Sequence, residues 1–315
     1  IHKDYLGKKH FQETINGCSI HRTNIYVTKS KSITKRLRNY LSFTWSSFKY
    51  GVKNMEKEYD IVFCESPPLF LGISAYLIAK RKKAKFIFNV SDLWPESAEK
   101  LGLVKNKIFL KSATILEEFL YRKSDLITAQ TKGIKSNISN RFPKKRVNWL
   151  PNGVDIEFYN PDNYKNQWRL KNNFSDDDIL FFYGGIIGHA QGLEIIIKVA
   201  NETKTNKKIK YILIGSGPEK EKLIMLSNSM NLTNVSFYDS VSKEEMPSII
   251  SSVNCSIIPL RKLDLFLGAI PSKIFECLSM KTPILLGVDG ESKELFIKKA
   301  NAGLFFEPEN YTELK

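Results

Sequence analysis

Three stretches of the 315-residue sequence combine residue types and spacings suited to chemistry on a phosphorylated, hydroxyl-rich molecule. The first is a glycine cluster. Ile179-Leu180-Phe181-Phe182-Tyr183 leads into Gly184, Gly185 and Gly188, with Gln191 and Gly192 closing the segment. A glycine-rich turn between strand and helix lets backbone N–H groups approach a diphosphate, whose charge the helix N-terminus favours. Gly215-Ser216-Gly217-Pro218 is a second turn of this kind after the next apolar run. Either alone also reads as a tight turn without ligand, and two on one sheet edge weaken that alternative. The second stretch is Ile270-Pro271-Ser272-Lys273-Ile274-Phe275-Glu276. Pro271 suits the first turn of a helix, which puts Ser272 and Lys273 at its N-terminal end. Lys273 can neutralise a phosphate there, and Glu276, one turn later on the same face, can accept hydrogen bonds from a ribose diol. The pair also reads as an i,i+3 surface ion pair. The third stretch is Asp92-Leu93-Trp94-Pro95-Glu96. Carboxylates hold hydroxyls and an aromatic ring offers a flat apolar face, although Asp92 also suits the cap of a short helix. Glu65, at the end of an earlier apolar run, joins Asp92, Trp94 and Glu96 as a hydroxyl-binding candidate.

The elements needed to position these residues follow an alternating order. In the first half, strands over 60–64, 84–90 and 126–129 are separated by a helix over 69–79 and a longer one whose apolar side takes Ile108, Leu116, Phe119 and Leu120. The second half restarts with strands over 179–183, 210–214, 235–238, 255–259 and 283–286 and a helix from about residue 193 to 200. Such alternation predicts α/β domains with parallel sheets covered on both faces. We expect two doubly wound, Rossmann-like domains, 1–150 and 151–315, facing a cleft, with ligands beyond the carboxyl ends of the strands. Residues 1–30 show no convincing first strand of a Rossmann sheet and a terminal helix is expected to start at 311–315, so both ends read as incomplete.

Bulk properties fit a globular enzyme: 42% hydrophobic and 26% charged residues, with no apolar run long enough to span a bilayer. Cys18, Cys64, Cys255 and Cys277 lack C-x-x-C spacing, so neither a zinc site nor a disulfide framework is indicated and a cytoplasmic protein is expected. The net charge of +15 favours an anionic partner or a broadly solvated lysine surface. No basic groove interleaved with aromatic residues points to nucleic acid.

Taken in order, Asp92 to Ser97, Pro151-Asn152-Gly153-Val154-Asp155, Gly185 to Leu193, Gly215 to Pro218, and Pro271 to Lys273 with Glu276 resemble the retaining glycosyltransferases of family 4, of GT-B fold. Within that family the resemblance is to WbuB-like bacterial capsule and O-antigen sugar transferases. It implies a hexosyl- or N-acetylhexosaminyl-type transfer from a UDP-sugar donor, held by the second domain, to a glycan acceptor linked to polyprenyl diphosphate, held by the first. It also implies front-face retention without a covalent nucleophile or a metal cofactor, so leaving-group charge must be stabilised electrostatically. Carried over residue by residue, Glu276 holds the ribose, Lys273 the diphosphate, and Gly184 to Gly188 form its backbone cradle. The uracil would lie against Ser240-Val241-Ser242, and Asp92 is the acceptor-side carboxylate; Asp92, Lys273 and Glu276 are the catalytic candidates. Two departures stand out. Positions that often carry Arg and Lys are Ile186 and Gln191 here, which moves the search for positive charge to Lys273 and Arg261. The first glutamate of the family's paired-glutamate motif is replaced by Gly268, so sugar recognition would pass to backbone amides of Gly268, Ala269 and Ile270.

Residues 31–49 place Ile33, Leu37, Tyr40, Leu41, Trp45 and Phe48 at helical spacing among Lys31, Lys35, Arg36, Arg38 and Lys49. A basic amphipathic helix of this type lies in an anionic membrane interface or packs its apolar side into the core. Two other functions are compatible with the sequence: a UDP-sugar epimerase of the same fold, and a non-catalytic nucleotide-sugar-binding subunit.

Overall fold

The computed structural model describes residue 5 and residues 7–28, 33–56, 58–164 and 167–315. The chain divides into two compact units, Ile1–Pro151 and Asn152–Lys315.

Unit 1 opens with an antiparallel hairpin, β1 (His10–Ile15) and β2 (Cys18–Thr23), which is separate from the parallel sheet. Its two-residue turn is Asn16-Gly17, both with positive φ, the combination that matches the twist of hairpin strands. Helix α1 (Ile33–Asn54) follows. The sheet proper is parallel, ordered β3 (Ile61–Ser66), β4 (Lys85–Val90), β5 (Leu126–Ala129) and β6 (Val147–Trp149). Helices α2 (Leu71–Lys82), α3 (Glu96–Lys100), α4 (Lys107–Lys123) and α5 (Lys132–Arg141) connect the strands. Phe86, Phe88, Leu120, Tyr121 and Ile127 are fully buried between sheet and helices. Of the expected apolar side of α4, Leu120 is fully buried but Ile108 and Phe119 are exposed; Leu110, Ala113, Glu117 and Tyr121 are buried with Leu120. Glu117 is tolerated there because Arg141 holds it through two hydrogen bonds, 2.5 and 3.2 Å.

Unit 2 begins with the short helix α6 (Gln167–Lys171) and contains one six-stranded parallel sheet. Its order is β12 (Gly303–Phe305), β11 (Ile284–Gly287), β10 (Cys255–Pro259), β7 (Ile179–Gly184), β8 (Ile209–Ile214) and β9 (Val235–Tyr238). Helices α7 (Glu194–Thr203), α8 (Lys220–Ser229), α9 (Met246–Ile250), α10 (Lys273–Ser279) and α11 (Tyr311–Leu314) complete it, with a π-helical turn at Lys293–Lys299. Burial on both faces explains the unbroken apolar runs. Leu180, Phe182, Ile212, Ile214 and Ile258 pack on one side, and Tyr183, Tyr211, Leu213 and Ile257 on the other. From β7 the chain first builds outward through β8 and β9, then returns to β10 and builds the other way. The β7–β10 junction is therefore the topological switch point, where parallel sheets open a crevice at their carboxyl ends.

Candidate functional site

The loops that leave this switch point carry most of the residues singled out in the second half. The turn after β7 lies against the turn after β8, backbone to backbone. Gly185 N–H donates to Ile214 O (2.9 Å), Ile187 N–H to Ser216 O (2.9 Å), and Glu219 N–H to Ile187 O (3.1 Å). The glycines serve that approach: a Cβ on Gly215 would stand 1.8 Å from Gly185 O, and one on Gly217 2.2 Å from Ile187 O. This revises the expected diphosphate cradle, since the Gly185 and Ile187 amides are already committed within the protein. Pro218 leads into α8, whose first residue, Lys220, donates to Gly215 O (3.0 Å), Tyr238 O (2.7 Å) and Asp239 (2.7 Å). Lys220 was not anticipated; it ties the carboxyl ends of β8 and β9 together.

Lys273 is the first residue of α10, with Pro271 and Ser272 just before the helix; Ser272 makes no side-chain cap hydrogen bond. The Lys273 ammonium lies 4.0 Å from the centre of the Tyr183 ring, and a Cβ on Gly185 would meet it at 3.0 Å. Its burial lowers the pKa to about 8, against the opposing pull of Cys277 and Glu276. Lys273 and Glu276 form no ion pair, which removes the surface-pair alternative. Glu276 instead stands beside the phenol of Tyr159: burial raises its pKa, while the phenol and the Lys273 charge favour ionisation. Tyr159 belongs to the segment after Pro151-Asn152-Gly153-Val154-Asp155. Asp155 caps that segment by accepting from Glu157 and Phe158 N–H (3.1 and 3.0 Å), and Ser279 Oγ anchors Tyr159 O at 2.7 Å. The site thus has a cation over one aromatic ring and a carboxylate beside another, both carried by one helix.

Arg261 is not available for a diphosphate, contrary to expectation. Its guanidinium bonds Glu309 (2.9 Å), Glu194 (3.2 Å) and His189 O (2.7 Å), and its N–H donates to Ala190 O (2.9 Å). Burial pushes the Glu194 carboxyl up, but its own backbone amide, Lys222 and Arg261 together hold it below the usual range. Arg261 therefore clamps the Gly188–Gly192 segment across the switch point and brings no spare positive charge. Gly192, with φ near 59°, faces the Arg261 side chain at 3.3 Å from an added Cβ. Gln191, a neutral side chain on that segment, supplies none either.

Two further expectations change. Ala269 N–H already donates to Phe266 O (2.9 Å), and Ala269 O accepts from Ser292 Oγ (2.6 Å), so the Gly268–Ile270 backbone is partly used within the protein. In the loop after β9, Ser240 Oγ bonds Ser216 Oγ (2.9 Å) while Val241 packs on the core. That loop is tied to the second glycine turn.

In unit 1, adjacent strands align a polar row at the carboxyl edge of the sheet: Glu65 beside Asn89, Asn89 beside Thr128, Thr128 beside Asn148. Asn89 and Thr128 are buried and bonded to each other (2.6 Å), and Asn89 with Ser91 holds the two oxygens of the exposed Glu65 carboxylate. Asp92 accepts from Ser97 Oγ (2.8 Å); burial raises its pKa and that hydroxyl partly offsets the shift. The helix cap expected of Asp92 is absent, because Pro95 occupies the N-cap of α3. Trp94 is half-buried, its ring steeply inclined to those of Phe70 (5.8 Å between centres) and Phe109 (6.2 Å), which fix its position. Glu96 pairs with Lys100 at 2.7 Å.

Two family models divide the chain between them. "Glycosyltransferase Family 4" matches residues 8–158 and "Glycosyl transferases group 1" matches 164–315. The chain belongs to the family 4 glycosyltransferases, of GT-B fold. This glycosyltransferase-family chain is 25% identical over 272 residues to the putative colanic acid biosynthesis glycosyl transferase WcaI of Escherichia coli K12. The match covers 83% of the chain but 65% of WcaI, so the chain spans less than two thirds of that relative's length. Solved structures agree on the fold alone. Sucrose-phosphate synthase from Thermosynechococcus elongatus superposes with a TM-score of 0.74 at 14% identity, covering 97% of this chain and 74% of that one. HepE from Anabaena, solved with UDP and glucose, gives 0.66 at 13% identity, covering 93% and 74%.

Within this family framework the sequence missed Tyr183, Tyr159 and Lys220 as parts of the site. Tyr183 closes a strand just before the glycines and Tyr159 follows Asp155 by one helical turn. Both were legible as core aromatics and gave no sign of the charge each would face.

Proposed function

We propose that the protein transfers a sugar from a UDP-sugar, held by unit 2, to a glycan acceptor linked to a lipid diphosphate, with retention of anomeric configuration, in bacterial surface polysaccharide assembly. The observation that carries this reading is the pairing on α10. Lys273, a largely buried cation, meets the glycine turn at the switch point, and Glu276 is one turn further on. A diphosphate requires the cation, and a ribose diol requires an acceptor of hydrogen bonds at about that separation. With Arg261 committed to Glu194 and Glu309, the developing charge on the departing diphosphate falls to Lys273, with the α10 N-terminus adding favourable dipole potential. That HepE was solved with UDP and that WcaI is named for colanic acid biosynthesis both support the donor class and the pathway type. On the acceptor side, Glu65, Asp92 and the Asn89–Thr128 row offer fixed oxygens for hydroxyls. No helix among the described residues is long and apolar enough to cross a membrane. A lipid-linked acceptor would then be reached by association with the inner face of the plasma membrane.

The test is product analysis. The protein is incubated with a panel of UDP-sugars and lipid-diphosphate-linked saccharides. The reading expects UDP release coupled to an extended saccharide whose new linkage keeps the donor's anomeric configuration by NMR. Conversion of the UDP-sugar without acceptor to its epimer would replace it with an epimerase. UDP binding with no turnover over the whole panel would favour a binding subunit.

A further inference from the structure

The surplus positive charge is confined to one unit. Residues up to Pro151 include 29 Lys and Arg against 12 Asp and Glu, whereas those from Asn152 include 19 against 21. Unit 2, where the diphosphate site is proposed, is therefore slightly acidic overall, and the +15 cannot be explained by that ligand. Within unit 1, α1 contributes Lys35, Arg36, Arg38, Lys49 and Lys53 and contains no Asp or Glu in 22 residues.

Helix α1 is held on two sides. Toward α2, Ser47 Oγ bonds Ser74 Oγ (2.9 Å), and Gly51 sits so close to Ile78 that an added Cβ would be 2.6 Å away. Toward the hairpin, Tyr50 Oη bonds His21 Nδ1 (2.8 Å) and Ser46 Oγ donates to Thr23 Oγ1 (3.2 Å). The buried Lys82 ammonium closes the end of the helix on Val52 O (3.3 Å) and Met55 O (3.0 Å). These contacts settle the core-packing alternative for two faces only. On the third face Arg38, Leu41, Trp45, Lys49 and Lys53 follow at three- and four-residue spacing, with Lys35 beside them, all exposed. Trp45 is 60% and Leu41 43% exposed, and the Lys49 ammonium lies 5.6 Å from the Trp45 ring. Lys31 and Ser32, part of the basic stretch read from the sequence, lie outside the described residues.

We propose that α1 docks unit 1 in the plane of an anionic lipid bilayer. Trp45 and Leu41 enter the boundary between headgroups and acyl chains, and Lys35, Arg38, Lys49 and Lys53 meet lipid phosphates. An apolar edge flanked by cations on an exposed helix face matches a layered surface, apolar below and anionic above. Nucleic acid offers phosphates but no layer for an aliphatic and an indole side chain together to enter. The inference extends the function proposed above, because a lipid-linked acceptor lies in such a surface. Docking itself needs neither donor nor acceptor.

Co-sedimentation with vesicles, without nucleotide, tests it. Phosphatidylcholine vesicles containing one quarter phosphatidylglycerol should bind the chain at least tenfold more tightly than pure phosphatidylcholine, and raised salt should release it. A variant with Leu41→Ser and Trp45→Ser, and another with Lys35, Arg38, Lys49 and Lys53 each changed to Gln, should each lose tenfold or more while keeping the parent's melting temperature. As a check that needs no multiple variant, brominated lipid should quench tryptophan fluorescence in the parent and much less in Trp45→Phe. Failure to bind the anionic vesicles, equal binding to neutral ones, or quenching unchanged by Trp45→Phe would overturn the proposal. Tighter binding to an oligonucleotide than to anionic vesicles would overturn it in favour of nucleic acid. Loss of UDP binding by the parent, with vesicle binding intact, strikes the proposed function and leaves the docking surface standing.

Discussion

Lys273 and Glu276 share one turn of α10, and burial drives both toward their neutral forms: the lysine's pKa falls to about 8 and the glutamate's rises. A buried cation without a paired carboxylate is costly to the apo protein and is stabilised when an anion arrives. The consequence is a pH dependence with a defined sign. Below about pH 8 Lys273 is an ammonium and can hold a diphosphate; above it the free protein loses that charge, while the diphosphate of UDP stays fully ionised. UDP affinity should accordingly fall as pH rises through 8 to 9.5, measured by calorimetry in buffers of matched ionic strength. Proton uptake on binding should appear over the same interval. A flat affinity across it would mean that Lys273 does not face the diphosphate. Arg261 gives the contrasting case. Its three acceptors make it structural, so Arg261→Lys is expected to lower stability through loss of the fork to Glu194 and Glu309.

At the scale of elements, the two glycine turns of unit 2 work as one piece. Because an added Cβ on Gly215 would stand 1.8 Å from Gly185 O, Gly215→Ala must push the turns apart. We expect a loss of about 3 kcal/mol in urea unfolding, in the range for backbone overlap that side chains cannot relieve. A loss below about 1 kcal/mol would mean the turns are not packed in this way. The corresponding piece in unit 1 is the row Glu65–Asn89–Thr128, in which two buried polar residues fix one exposed carboxylate. Glu65→Gln should raise the acceptor KM about tenfold with the donor KM unchanged, if this edge holds acceptor hydroxyls. Equal changes in both constants would indicate a structural role.

The parallel strands and the α10 motif were legible because apolar runs bounded by glycine and proline are local signals. The hairpin was equally legible in principle, since Asn16-Gly17 between alternating residues is a strong turn signal. Its strands are antiparallel and exposed or half-buried throughout, so they lack the unbroken apolar run that marks a buried parallel strand. What sequence could not supply was the partner of each polar group. Arg261 and Lys273 are both basic residues near the ends of unit 2 strands, and only the fold shows that Glu194 and Glu309 reach one of them. The same holds for Trp94, whose ring neighbours Phe70 and Phe109, and for Ile108, which helical periodicity alone placed inside.

For the molecule as a whole, the two units differ in charge and in the chemistry their loops carry. Unit 2 is near neutral, with the Lys273 ammonium over the Tyr183 ring at its switch point, while unit 1 holds the basic surplus and the Glu65 carboxylate fixed by Asn89 and Ser91. This division is what a donor-binding unit and a lipid-proximal acceptor unit would need. UDP titration of three proteins tests the donor site in unit 2 most directly: the parent, Lys273→Ala and Glu276→Ala. The expected result is saturable UDP binding by the parent, weakened at least tenfold (about 1.4 kcal/mol) by each substitution, with melting temperatures unchanged. UDP binding of equal strength in all three would contradict the account.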